Sequence, residues 1–172
     1  MFTVSNTSPV SNLASIGRLE LLKSQFSVIW IPDAVAGELA AHPDPAARDA
    51  IQSAVRDRWI RIGTPHDSRL LRVLMLQLHQ GEAEAIVLAT DMKADIVLID
   101  EQEARQFASR TGLAVTGVLG ILLRAKRDGH ITKIKPEIDF LRSKARFFVA
   151  ASLEAKVLSA AGEWPGARVP EV

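Results

Sequence analysis

The 172-residue chain contains no cysteine, which excludes disulfides, thiolate chemistry and Cys-type zinc sites. No apolar run approaches the about 20 residues that cross a bilayer, and no signal-peptide pattern opens the chain. The expectation is a cytoplasmic protein with no membrane contact. The histidines His42, His66, His79 and His130 show no HxxxH or comparable spacing, which argues against a histidine metal site. The glycine-rich dinucleotide fingerprint, the P-loop and the GxSxG elbow are also missing, and the readings tied to them fall away. Charge of one sign is lacking too. Lys and Arg number 21 against 20 Asp and Glu, a net +1, so no global basicity advertises nucleic acid.

What is present is a chain that is 48% hydrophobic, long enough for one domain with a sizeable core. Apolar segments alternate with amphipathic ones. Phe2–Val4, Val28–Ile31, Trp59–Ile62, Ile96–Ile99 and Leu113–Thr116 read as strands. Between them, Asn6-Thr7-Ser8-Pro9 reads as a helix start, with capping side chains and a proline at the first helical position. Gly17 breaks the helical stretch that follows. Pro32-Asp33 leads into a helix carrying Val35, Glu38 and Leu39, and further helices are expected over about 46–56, 68–78, 101–110 and 118–128, with another that starts at Glu82 and Glu84 and runs through Ile86–Ala89. Two more, over about 135–144 and 153–161, precede a polar tail. Strands alternating with helices predict βαβ units and a parallel sheet covered by helices.

Gly81–Glu101, GEAEAIVLATDMKADIVLIDE, carries the chemistry. Ile96–Ile99 suits a strand buried on both faces, and Asp100 follows at the carboxyl edge where open α/β sheets place ligands. Acids at that edge, with others one helix upstream, suit a hard divalent cation. Each also has a plainer use. Glu82 and Glu84 lie in the first turn of their helix, where its dipole favours acids by about 0.3–1 kcal/mol each. Residues two apart face different ways, and Glu84 is favoured as the inward one because Ile86, Val87 and Leu88 continue its turn into the core. Asp100 can cap the next helix, whose first turn holds Glu101 and Glu103. Glu38, read alone, is a solvent-exposed acid. Between Arg124 and Arg146, eight basic residues stand against Asp128, Glu137 and Asp139. That stretch suits a solvated helical surface or phosphate recognition.

Together, VSNTSPVSNLASIGRLELL, IWIPDAVAGELA, GEAEAIVLA and IVLIDEQEAR followed by TGLAVTGVLGILLRAKRDGHI resemble the four ordered motifs of PIN-domain-like nucleases. The branch most similar is that of prokaryotic toxin–antitoxin loci, and the resemblance covers about residues 1–135. It implies an α/β, three-layer fold with a central, mostly parallel sheet flanked by helices, plus C-terminal helices. Residues 136–172 would be a helical extension and tail packed on the same domain. It further implies a Mg²⁺- or Mn²⁺-dependent endoribonuclease acting on RNA, held by a small antitoxin protein, with the 68–78 helix as the interface of a homodimer. Glu38, Glu84 and Asp100 would be the catalytic metal ligands, with Asn6, Glu82 and Glu103 completing or assisting the site. Thr7, Ser8, Arg124, Lys126 and Arg127 would contact substrate.

One position departs from the family pattern. Asn6 stands where an aspartate usually ends the first strand, and an amide oxygen can ligate a cation but brings no charge. Asn6 can equally act only as a helix cap. The alternative function is therefore a weakened or inactive PIN-like module that binds RNA or protein. A receiver-like signalling domain also carries acids at this edge, but it needs an acidic pair where this chain has Ser5-Asn6.

Overall fold

Short aliphatic segments punctuated by glycine and proline form strands here because helices bury them from both sides. A computed structural model describes residues 1–66 and 69–163. The tail from 164, and Ser68 at the expected start of one helix, lie outside the described residues. Strands β1 (Thr3–Ser5), β2 (Ile29–Pro32), β3 (Ile60–Gly63), β4 (Ile96–Leu98) and β5 (Val115–Thr116) pair in the order β3-β2-β1-β4-β5. Every pairing is parallel, so the sheet is wholly rather than mostly parallel among the described residues.

The connections are helical: α1 (Thr7–Ser15), α2 (Glu20–Phe26), α3 (Asp33–Ala40), α4 (Pro45–Arg56), α5 (Arg69–Leu74), α6 (Gln80–Asp91), α7 (Gln102–Arg110) and α8 (Val118–Arg127). Gly17 separates α1 from α2 at φ 69°, a left-handed angle that glycine adopts without strain. Side chains alternate across each strand, and the two faces hold two cores. Leu98, Ile29 and Ile31 pack with α1, α2, α4 and α8 on one face. Val4, Val97 and Ile99 pack with α6 and α7 on the other. Fully burying each such aliphatic side chain contributes about 1.5–3 kcal/mol.

The chain continues through α9 (Lys135–Ala145) and α10 (Ala151–Ala160), whose Ile138, Leu141, Val157 and Leu158 join the first core. Glu163 fastens this end. Its carboxylate accepts Lys126 Nζ at 2.6 Å and the N–H groups of Ile134 at 2.7 Å and Lys135 at 3.0 Å. Burial raises the Glu163 pKa, but Lys126 and the two N–H groups outweigh it and hold the carboxyl below its ordinary value. Its stabilisation is therefore present above the ordinary glutamate value and lost as pH falls below that value and through the lower folded-state one.

Glu163→Ala leaves two helix-terminal N–H groups without an acceptor and one partly buried ammonium with only the Ala161 carbonyl. It should lower stability by about 2 kcal/mol, or the Tm by about 4–8 °C, in calorimetry at neutral pH. An unchanged Tm would show that the C-terminal helices do not depend on this clasp.

Candidate functional site

The sheet reverses its winding direction between β1 and β4. The units following β1 lie on the first core's face and those preceding and following β4 on the second, so a crevice opens at the carboxyl ends of these two strands. Asn6 leaves β1 at this point, its N–H bonded to the Leu98 carbonyl of β4 at 3.1 Å. A cleft of about 460 Å³ lies there, lined by Asn6, Thr7, Ser8, Glu38, Glu101 and the start of α6 from His79 to Glu82.

Three carboxylates enter this cleft from three elements. Glu38 arrives on the outer face of α3 and accepts the Thr7 hydroxyl. Gly81 lets it approach, because a Cβ at that position would lie 3.1 Å from Glu38 Oε1 and 3.2 Å from Val35 Cγ2. Glu82 sits in the first turn of α6 and accepts the His79 N–H at 3.0 Å. Glu101 precedes α7 and accepts both the Ser8 hydroxyl and Asn6 Nδ2, the latter at 2.8 Å.

Glu84 and Asp100 are placed differently from expectation. Helix α6 is buried almost all round, so Glu84 does point inward, but towards α3. Its carboxylate accepts the Ala34 N–H at 3.1 Å and Gln80 Nε2 at 2.7 Å, and it does not line the cleft. Asp100 turns to the start of α8. It accepts the Val118 N–H at 2.8 Å and faces Asn12 Nδ2 at 3.3 Å. Gly117 is necessary there, since an added Cβ would overlap Asp100 Oδ1. Asp100 thus caps a helix, though α8 rather than the next one in sequence. Glu101, which sequence reasoning passed over, occupies the cleft position instead. Glu103 lies exposed in the first turn of α7, near enough to act on Glu82 electrostatically but outside the cleft lining.

Thr7 and Ser8 line the cleft as expected, whereas Arg124, Lys126 and Arg127 do not reach it. They occupy the last turn of α8, about 9–14 Å along the axis from the end that Asp100 caps, at a rise of about 1.5 Å per residue. Arg124 and Arg127 pair with Asp128, at 3.5 Å and 3.2 Å, and Lys126 is held by Glu163. Their charges are already answered within the protein.

The electrostatics of the crevice favour a cation. Burial first, and then the Glu101 and Glu103 charges, raise the Glu82 pKa, against the opposing His79 N–H. Asp100 is pushed up to about 6, chiefly by burial and next, among the raising causes, by Glu101, with the Val118 N–H, Asn12 and Arg105 opposing. Asn6 is 2% exposed, and its Oδ1 has no hydrogen-bond donor. An acceptor orphaned in this way, among carboxylates, is a natural oxygen ligand for a hard ion. Among the described residues, no three acidic or histidine side chains are already gathered tightly enough to ring one ion. Each cleft carboxylate instead holds a neutral donor, Thr7, the His79 N–H, or Ser8 with Asn6, and keeps further lone pairs.

An all-parallel, doubly wound α/β sheet with an acid-lined crevice at its switch point defines the class of fold. Within that class, the family model for the PIN domain matches residues 2–163, and the chain belongs to the PIN-domain family, which has a nuclease-type fold. The match runs past residue 135, so α9 and α10 fall within the family region. Comparison with curated proteins gives no match. No helix among the described residues is long and apolar enough to cross a membrane.

The Asp100 shift has a measurable consequence. Its folded-state pKa of about 6 exceeds the ordinary 3.8, so the folded protein keeps this proton to higher pH than the unfolded chain does. The associated stability is complete below the ordinary value and is lost as pH rises through the folded one. Asp100→Asn still offers an oxygen to the Val118 N–H and should flatten the wild-type decline across that window in thermal melts with EDTA. A variant profile as steep as the wild-type one would refute the assignment.

Proposed function

We propose that the protein is a divalent-metal-dependent ribonuclease in which Asn6 Oδ1, Glu38, Glu82 and Glu101 hold one Mg²⁺ or Mn²⁺ ion. The observation that carries this reading is the buried Asn6 Oδ1, without a hydrogen-bond donor, on a residue that lines a cleft together with three carboxylates. All four donors are oxygens, the set a hard cation takes. The ion would neutralise charge on the attacked phosphate and activate the attacking water. The chain's own groups do the rest. Thr7 orients Glu38, Ser8 and Asn6 Nδ2 orient Glu101, and Glu82 is fixed by its bond to the His79 N–H. Glu84 and Asp100 act at one remove, by anchoring the starts of α3 and α8.

The absent charge at Asn6 supports a second reading, a PIN-like module that binds RNA or a protein without cleaving. The reading as a nuclease extends to partners as well: a small antitoxin that blocks the cleft, and a second copy docked through α5 and the following turn. Val73, Met75 and Leu76 there are exposed.

Wild-type protein with Mn²⁺ should cleave RNA, and Glu82→Gln or Glu101→Gln should lower the rate at least about a hundredfold. Asn6→Asp adds a charged ligand and should tighten Mn²⁺ binding in calorimetric titration. Absence of cleavage by wild type and by Asn6→Asp alike would leave the binding module standing. Full activity in Glu101→Gln would refute the proposed ligand set.

A further inference from the structure

The cleft does not end at Glu101. Ser8 and Glu101 also line an adjoining groove of about 340 Å³, whose other wall is formed by Arg146, Phe147 and Phe148. Phe148 is 87% exposed, whereas the flanking Phe147 and Val149 pack into the first core. The ring is therefore held out on a segment pinned at both sides. The end of α9 fixes its direction: Arg146 adopts φ 52°, and the Phe147 N–H bonds to the Leu141 carbonyl at 3.1 Å. A non-glycine residue at that angle costs about 1 kcal/mol, at a position where glycine is the usual occupant.

Arg146 is exposed, and no carboxylate pairs with it among the described residues. One turn earlier, Arg142 is engaged by Glu154 and Asp139. An unpaired guanidinium and a bare aromatic ring thus stand side by side at the mouth of an acidic cleft. Carboxylates repel a phosphate chain, so a strand entering the cleft gains from a cation and an apolar platform just outside it.

We propose that Phe148 and Arg146 form a subsite for single-stranded RNA, in which an unpaired base stacks on the Phe148 ring and Arg146 contacts an adjacent phosphate. The inference rests on the ribonuclease reading and places where the strand is held: the base must be unpaired, because a duplex keeps its base faces within its own stack. Phe148 and Arg146 are positioning residues and touch no reacting atom.

The test uses the full chain with Ca²⁺ and a single-stranded oligoribonucleotide carrying 2-aminopurine, alongside the same sequence as a duplex. Wild type should quench the fluorophore and prefer the single strand. Phe148→Ala should abolish the quench and weaken binding about tenfold, Phe148→Leu should do likewise, and Phe148→Trp should retain both. Arg146→Gln should reduce the salt dependence of binding by one phosphate contact, a slope change of about 0.7, with Arg146→Lys restoring it. Equal affinity of wild type and Phe148→Ala, or equal affinity for single strand and duplex, would overturn the proposal. Cleavage with an unchanged KM in Phe148→Ala would sink the subsite and leave the nuclease reading intact. Phe148-dependent binding without any cleavage would do the reverse.

Discussion

Pairing of β1 with β4 sets up everything at the carboxyl edge. The register places Thr3, Val4 and Ser5 beside Ile96, Val97 and Leu98, and the ladder extends one step further through the Asn6 N–H to the Leu98 carbonyl. Residues some ninety positions apart therefore leave the sheet together. Because the connections from β1 and β4 run to opposite faces, no crossover covers the gap between them. Ser8 and Asn6 can then reach Glu101, and α3 and α6 bring Glu38 and Glu82 to the same opening. A slip of one residue in this pairing would turn Val97 and Leu98 to the wrong cores as well as dismantling the cleft.

Three acids in one cleft repel one another, and the protein limits that cost by giving each a neutral hydrogen-bond donor. Asn6 fits the same logic. It donates to Glu101 through Nδ2 while its Oδ1 stays unsatisfied, so one side chain relieves a carboxylate and presents an acceptor. An aspartate here would add a fourth negative charge and could not donate in its ionised form. The uncharged residue lowers repulsion in the metal-free protein and weakens the attraction for a cation, two effects of opposite consequence for a metal enzyme.

The sheet and its helices were legible because their signals are local. Ile96–Ile99 reads as a doubly buried strand, and Leu98 and Ile99 indeed enter different cores. Gly17 reads as a break and adopts a positive φ. The order of the strands, set by pairings between distant segments such as β1 and β4, was not read from the sequence. The choice between neighbouring acids was not legible. Glu82 and Glu84 both lie on a helix buried almost all round, where periodicity marks no single inward face. Asp100 and Glu101 are separated only by which one finds the free N–H of Val118, a contact that forms across the sheet edge. The basic run from Arg124 was visible as charge, but charge alone does not reveal that Asp128 and Glu163 already answer it.

A different sequence signal points to the acids that leave the cleft. Helices α3, α8 and α9 begin after Pro32, Gly117 and Ile134, none of which has a side chain that can cap. Their first N–H groups must still be satisfied where they are buried. Acids from elsewhere do it: Glu84 for α3, Asp100 for α8 and Glu163 for α9. Helix α6, by contrast, closes its own start with Glu82, and Glu101 makes no cap for α7 although it occupies the capping position. An acid engaged by a remote helix start has its lone pairs committed to fixed N–H groups and positions backbone. An acid held only by hydroxyls and amides keeps exchangeable partners. That difference separates Glu84 and Asp100, which hold the starts of α3 and α8, from Glu38 and Glu101, which line the cleft.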